Sequence, residues 1–195
     1  MGRHKLLADA DLLAIGRRVF TERGAAASTR GIARQAGVSE AVIYQRFGTK
    51  ERFLLAAMVP PDFGVDQLFS RRSGSALADL ERIALGMLGY FRELIPVLVP
   101  LLAEPAFDFE EFARLHPDAP MNQLRVRLLE YLGELQAHGD IESPDIPAAG
   151  LVFFGALFSI AVFERLGAHG GEFTDRLVRS MVNAVWVGLS PRVSR

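Results

Sequence analysis

The sequence predicts an all-α protein built in two parts. Three observations point there. Apolar residues recur at spacings of three and four along most of the chain, and alternating apolar/polar runs are missing. Glycines and hydroxyl caps punctuate the N-terminal part into short helices. Pro60-Pro61 is a hard stop and marks the boundary between the parts. The chain has 195 residues and half are apolar, enough for a sizeable core.

The first helix carries Leu12, Ile15, Gly16, Val19 and Phe20 on one face and stops at Gly24. Gly16 costs about 1 kcal/mol relative to Ala in a helix interior, which close packing can justify. The second helix runs from a Ser28 cap to Ala36, and Gly37 supplies a left-handed turn. Ser39 is read as the cap of the third helix, Glu40–Phe47, which Gly48 ends. Thr49 is read as the cap of the fourth, Lys50–Val59. Beyond the prolines, Phe63–Phe69 reads as a short helix. Leu77, Leu80, Ala84, Met87, Phe91 and Leu94 mark a long amphipathic one. Pro96 and Pro100 bracket a short apolar piece. Glu104–Pro120 reads as a loop with a helical turn or two. Met121–His138 is helical, with Leu124, Leu128, Tyr131, Leu132 and Leu135 inward, and Gly139 terminates it. Asp145–Gly167 and Phe173–Leu189 complete the chain. Leu177, Met181, Val185 and Trp186 are the large residues expected to be buried in the last helix.

Net charge is only −1, but it is unevenly spread. Residues 1–59 carry ten Lys/Arg against five Asp/Glu, and the remainder twelve against eighteen. That separates a phosphate-seeking part from one that is not. There is no cysteine, hence no disulfide framework and no thiolate zinc site, which fits a cytoplasmic protein. Met1–Lys5 is basic, but Asp9 and Asp11 prevent an apolar signal core from forming after it, so no secretion signal is expected.

Thr29–Leu54 is the most informative stretch. It reads as two short helices joined at Gly37, with basic residues outward: a helix-turn-helix able to probe a DNA major groove. Ile32, Ala33, Val38, Ile43 and Phe47 would fix the angle between the helices. Glu40, Ala41, Val42, Tyr44, Gln45 and Arg46 would then face outward. Ser28, Arg30, Ser39, Tyr44, Arg46 and Lys50 suit phosphates. Gln45 suits adenine, Arg46 guanine, and Ala41 or Val42 a thymine methyl, while Glu40 can accept from cytosine or help cap its helix. Spacing and charge alone also admit an ordinary helical hairpin with a solvated basic face.

GIARQAGVSEAVIYQRFGTKERFL resembles, almost position by position, the DNA-binding part of the TetR family of bacterial transcriptional regulators. LLAIGRRVFTERG upstream is similar to that family's first helix, so the resemblance covers roughly residues 10–58. Gly31 stands where the family often has an acidic residue and Thr29 where an apolar one is usual; both would loosen the second helix. Glu40 replaces a basic or small residue. The resemblance implies an N-terminal three-helix DNA-binding domain over residues 1–48 and a connecting helix over 49–59. A larger helical ligand-binding and dimerisation domain over 60–195 would complete the chain. It implies a homodimer on a near-palindromic double-stranded DNA operator, usually a repressor, released by a small effector. A DNA-binding dimer without an effector is the alternative. Tyr44 and Lys50 would grip phosphate, and the fourth helix would carry ligand-induced motion.

Ile146–Phe163 holds eighteen uncharged residues, borderline for a membrane span. Asp145 and Glu164 close it and no basic cluster flanks it, so a helix buried on all sides, inside the protein or between subunits, is expected and no membrane partner. In the family the last two long helices pair with their copies as a four-helix bundle. That makes Phe154, Phe158, Val162, Met181, Val185 and Trp186 the candidate dimer interface. Met87, Tyr90, Phe91, Phe107, Phe112, Met121, Leu124 and Tyr131 are candidate lining for a hydrophobic or aromatic effector; each also fits a plain core. The four histidines, His4, His116, His138 and His169, are scattered, and no catalytic motif stands out. Glu110, Glu111 and His116 can in principle bind a metal, but a solvated loop is the simpler reading. No cofactor, metal or enzymatic activity is expected.

Overall fold

Gly turns and side-chain caps fix the order of helices in the N-terminal part. The computed structural model describes residues 7–23, 27–58, 63–102, 108, 110–111, 114, 119–142, 145–168 and 170–189, without the side chains of residues 100 and 101. Helix α1 is Asp9–Arg23, α2 Thr29–Ala36, α3 Glu40–Phe47 and α4 Lys50–Met58. Asp9 and Asp11 sit in the first turn of α1, where the helix dipole favours carboxylates. Ser28 accepts a bond from the Gly31 amide, and Gly37 ends α2 at φ 69°. Thr49 accepts from the Arg52 amide and so caps α4 as expected. Ser39 holds the N-cap position of α3 with an extended backbone, but its hydroxyl makes no cap bond. The sequence expectation of a capping hydroxyl there is therefore corrected.

The chain divides into two compact units. The first comprises residues 1–61 with 96–115, the second residues 62–95 with 116–195. The core of the first unit gathers Leu12, Val19, Phe20, Ile32, Ile43, Phe53, Leu54 and Val97. Phe53 is its centre, with ring centroids 5.7 Å from Phe20 and 4.9 Å from Phe47. Gly16 has no side chain because Phe53 needs the space: a Cβ there would lie 2.7 Å from the Phe53 Cζ. Arg17 ties α1 to α4 by donating to the Ala57 carbonyl at 2.8 Å.

In the second unit, α5 is Val65–Ser70 and α6 is Ala76–Leu102, whose last turns from Pro96 belong to the first unit. Helix α7 is Pro120–His138, α8 Ile146–Leu166 and α9 Asp175–Leu189. Pro96 and Pro100 were expected to interrupt the helix; α6 instead runs through both. Each proline removes one backbone donor. Their spacing of four puts both losses on one face, so the rest of the ladder is spared. The face of α6 read from the sequence is the buried one: Leu80, Ala84, Met87, Phe91 and Leu94 are all in the core.

One expectation about the last helices changes, that for α9. Helix α8 was read as buried on all sides, inside the protein or between subunits. Within the chain only one face is covered, by Ala149, Gly150, Phe153, Leu157, Ile160 and Ala161, while Leu151, Val152, Phe163 and Leu166 are exposed. In α9, Leu177 was expected inside but is exposed, and Val178 and Val182 are buried instead. Apolar residues come there in adjacent pairs, so two stripes one residue apart compete, and the chain covers the smaller one. Helix α8 is the one helix among the described residues long and apolar enough to cross a bilayer.

An ion pair locks α6 to α8. Arg92 donates to both Glu164 carboxylate oxygens at 2.8 Å and to the Phe173 carbonyl at 3.0 Å, and the Phe173 amide donates to Glu164 at 2.6 Å. The Arg92 bond holds the Glu164 carboxyl below the usual carboxylate range, against the opposite pull of burial.

Gly16→Ala gains about 1 kcal/mol of helix propensity, but Phe53 is fully buried and has nowhere to go. Overpacking of this kind costs about 1–3 kcal/mol. The expected outcome of urea unfolding is a less stable protein; a more stable one would contradict the packing argument. Glu164→Gln leaves the Arg92 guanidinium without its counter-charge and is expected to destabilise by about 2–4 kcal/mol at neutral pH. A carboxyl whose folded pKa is lowered stabilises fully above its unfolded value of about 4.3, and that contribution is lost as pH falls through the folded value. Unfolding at pH 7 and pH 3 should therefore show the gap between wild type and Glu164→Gln narrowing in acid.

Candidate nucleic-acid interface

The outward face of α2 and α3 follows from what they bury. Helix α2 turns Thr29, Ile32 and Ala33 inward and α3 turns Ile43 inward. What remains outside is Ser28 at the start of α2, Arg30, Arg34 and Gln35 on it, and Ala41, Tyr44 and Gln45 on α3, with Ser39 at its start; Val42 and Lys50 are half-buried. Ala41 and Gln45 lie four apart, hence on one face. Arg34 was not among the sequence candidates. Its spacing of four from the very exposed Arg30 was the available signal.

A polar tie sets the relation of α2 to α3. The Thr29 hydroxyl, buried, donates to Glu40 Oε1 at 2.6 Å and lies 3.1 Å from the Tyr44 hydroxyl. Glu40 also faces the Arg30 Nε at 3.7 Å. Thr29 therefore holds the two helices together, where the sequence reading expected it to loosen α2. Glu40 is bound within the protein, which accounts for an acid on a basic face. Arg46 is the other departure. It was expected to point outward, but its Nη1 donates to the Leu7 carbonyl at 2.7 Å and to Asp9 Oδ1 at 2.8 Å. The guanidinium folds back to the start of α1, where a carboxylate and a free carbonyl attract it.

In the second unit, Met87, Tyr90, Phe91, Leu124 and Tyr131 are all buried and Met121 is half-buried. Phe107 and Phe112 lie outside the described residues, as do His4, His116 and His169. Tyr90 packs between Phe63 at 4.9 Å and Phe91 at 5.7 Å. Burial pushes its phenol far above the usual range, opposed by a backbone hydrogen bond at Met121. Phe154 and Phe158 stack edge-on against Phe91 at 5.0 and 5.5 Å, so both rings engage their own chain. They and Val162, Met181, Val185 and Trp186 are half-buried. The most exposed apolar residues of α8 and α9 are Leu151, Val152, Leu166 and Val187, which were not candidates. An apolar cavity of about 220 Å³ lies between α7 and α8, lined by Leu129, Pro147, Leu151 and Phe154 with Arg125 at its edge.

Residues 12–57 match the family model described as bacterial regulatory proteins, tetR family. The chain carries the DNA-binding segment of the tetR family. This span contains α2, α3 and the Gly37 turn, so the exposed strip of Arg30, Tyr44 and Gln45 belongs to a tetR-type helix-turn-helix. No curated protein matches the chain. Among solved structures, a protein with unknown function from Rhodococcus sp. RHA1 shares 22% identity with TM-score 0.73, over 97% of this chain and 100% of that one. A putative transcriptional regulator from Saccharomonospora viridis in complex with choline shares 19% with TM-score 0.67, over 94% and 98%. The transcriptional regulator FadR from Bacillus subtilis in complex with stearoyl-CoA shares 19% with TM-score 0.63, over 90% and 94%. These likenesses show one known helical fold running over both units.

Thr29→Val keeps the shape but removes the hydroxyl shared by Glu40 and Tyr44. It is expected to lower stability by about 1 kcal/mol, even though valine suits the apolar surroundings. Urea unfolding of the variant checks this, and unchanged stability would show that the tie contributes nothing net.

Proposed function

We propose that the protein represses transcription as a homodimer, acting in the cytoplasm by binding rather than by catalysis. Two copies of α3 enter successive major grooves of a near-palindromic operator, and a small hydrophobic or aromatic effector in the second unit releases them. The observation that carries this reading is the exposed strip on α2 and α3, held rigid by the apolar core and by the Thr29 tie. Arg30, Arg34, Tyr44 and Lys50 serve phosphates, together with Ser28, Ser39 and the N-terminus of α2. Gln45 reads adenine, with Ala41 and Val42 against a thymine methyl. Arg46 positions α3 against α1 instead of reading a base.

The second copy covers the bare faces of α8 and α9, where Leu151, Val152, Leu166 and Val187 stand open. Solved proteins of this fold hold ligands as different as choline and stearoyl-CoA, so the fold does not set effector chemistry. The aromatic interior around Tyr90, Phe91 and Phe154 favours an apolar one here. Release follows if the effector favours a spacing of recognition helices that no longer fits successive grooves. A DNA-binding dimer with no effector is the second reading. It is favoured by the complete burial of Met87, Phe91 and Leu124, which leaves no ready opening at those residues.

An operator selected from random duplexes, followed by anisotropy titrations across salt, tests the DNA reading. Affinity should fall steeply with salt, and Arg30→Ala and Lys50→Ala should each reduce the slope by about one. Gln45→Ala should cost about 1–3 kcal/mol and relax one base position. Salt-independent binding, or a monomer on the selected duplex, would overturn it. Anilinonaphthalene sulfonate serves as an apolar probe: binding that releases the operator supports the effector, and binding without release favours the second reading.

A further inference from the structure

A polar pocket of about 330 Å³ opens between the start of α6 and the end of α7, in the segment after α5. Its floor is Tyr131, only 2% exposed, whose hydroxyl finds no hydrogen-bond partner among the described residues. Sequence reading placed Tyr131 in an apolar cavity; the structure gives it a polar one. A buried hydroxyl left unpaired loses its hydration with nothing in return, so a group that could accept or donate there is favoured.

The chain's own Arg72 partly fills it. The Arg72 guanidinium lies 4.4 Å above the Tyr131 ring and bonds to the Glu134 carboxylate. Both of those side chains are about half exposed, so water screens the ion pair and both it and the ring stacking are weak. Among the described residues, no other ion pair or hydrogen bond to the Arg72 side chain is seen. The remaining charges favour a positive guest. Asp79, Glu134 and Asp140 line the site, and Arg82, outside the lining, is engaged with Asp79 and with the carbonyls of Leu68 and Arg71. His138 is turned to the Glu134 carbonyl through Nδ1 at 2.6 Å. No group of three metal-binding side chains assembles among the described residues.

We propose that this pocket binds a small organic cation, a guanidinium or primary amine, and that Arg72 is a tethered occupant displaced by it. The guest takes the aromatic face and Glu134 from Arg72 and reaches the unpaired Tyr131 hydroxyl, which Arg72 leaves untouched. The site is independent of the apolar effector and of the DNA surface, so its failure leaves both readings standing.

Agmatine, which carries a guanidinium and an amine, is the probe, titrated calorimetrically into the full-length protein at low salt. The decisive variant is Arg72→Gln, which removes the internal competitor. It should bind agmatine about tenfold more tightly than wild type. Arg71→Gln removes the same charge one residue away without clearing the ring, and should match wild type. Glu134→Gln should abolish binding. Tyr131→Phe in the Arg72→Gln background should weaken it several-fold. Equal tightening by Arg71→Gln would reduce the effect to bulk charge and overturn the proposal. So would silence from wild type and Arg72→Gln alike, or binding of the dianion glutarate in place of agmatine.

Discussion

The N-terminal unit depends on the burial of one ring. Phe53 touches α1 through Gly16 and Phe20 and α3 through Phe47. A fully buried aromatic side chain contributes about 1.5–3 kcal/mol of transfer free energy, a sizeable fraction of the net stability of a small domain. Because three helices close on the same ring, none can rotate without opening a cavity. The outward direction of Ala41, Tyr44 and Gln45 is therefore a consequence of what Ile43 and Phe47 do on the other side of α3. A DNA-reading surface needs that rigidity, since a recognition helix that rocked would lose its fixed register against base edges.

Polar residues then refine what the apolar core sets. Thr29 sits at the base of α2 where a hydrocarbon would pack adequately, yet a hydrocarbon cannot hold a carboxylate and a phenol at once. Its bond to Glu40 neutralises none of the acid's charge, but it fixes where that charge lies, beside Arg30 and away from the Gln45 face. Arg46 does the same from the far end of α3 by reaching Asp9 and Leu7. Two residues that look like DNA contacts by composition thus act as struts. The arginines left exposed on these two helices, Arg30 and Arg34, are fewer than a count of basic residues suggests, and both lie on α2.

The sequence made the N-terminal unit readable because local signals there agree with the tertiary ones. The hydroxyls of Ser28 and Thr49 and the left-handed Gly37 cap or turn as their types require, and Gly16 is explained by a neighbour it was expected to have. Where reading failed, the answer lay in long-range contacts. The partner of Arg46 is on α1, nearly forty residues earlier. Pro96 and Pro100 would end a short isolated helix, but α6 carries twenty-seven residues, many of them buried, so two missing donors do not break it. In α9 the adjacent apolar pairs left the phase undecided, and only the surface presented by the rest of the unit chose Val178 and Val182 over Leu177. Tyr131 was readable as buried but not as polar in its surroundings, because Arg72 and Asp79 reach it from a different element.

Helix α8 shows how the same composition supports opposite readings until its faces are separated. Hydropathy alone suits a bilayer. Its inner face, however, is committed: Phe153 and Leu157 are buried, the rings of Phe154 and Phe158 lie against Phe91, and Glu164 holds Arg92. Moving α8 into lipid would strip those contacts and leave Arg92 without its counter-charge, at a cost of several kcal/mol for the ion pair alone. The outer face bears no such commitment. Leu151, Val152 and Leu166 on it are open, and exposed apolar residues gathered on one face are where partners pack. An open apolar face beside one that cannot be given up suits a partner that packs sideways against a helix. The proposed second copy, presenting the same bare stripe, meets that requirement by symmetry.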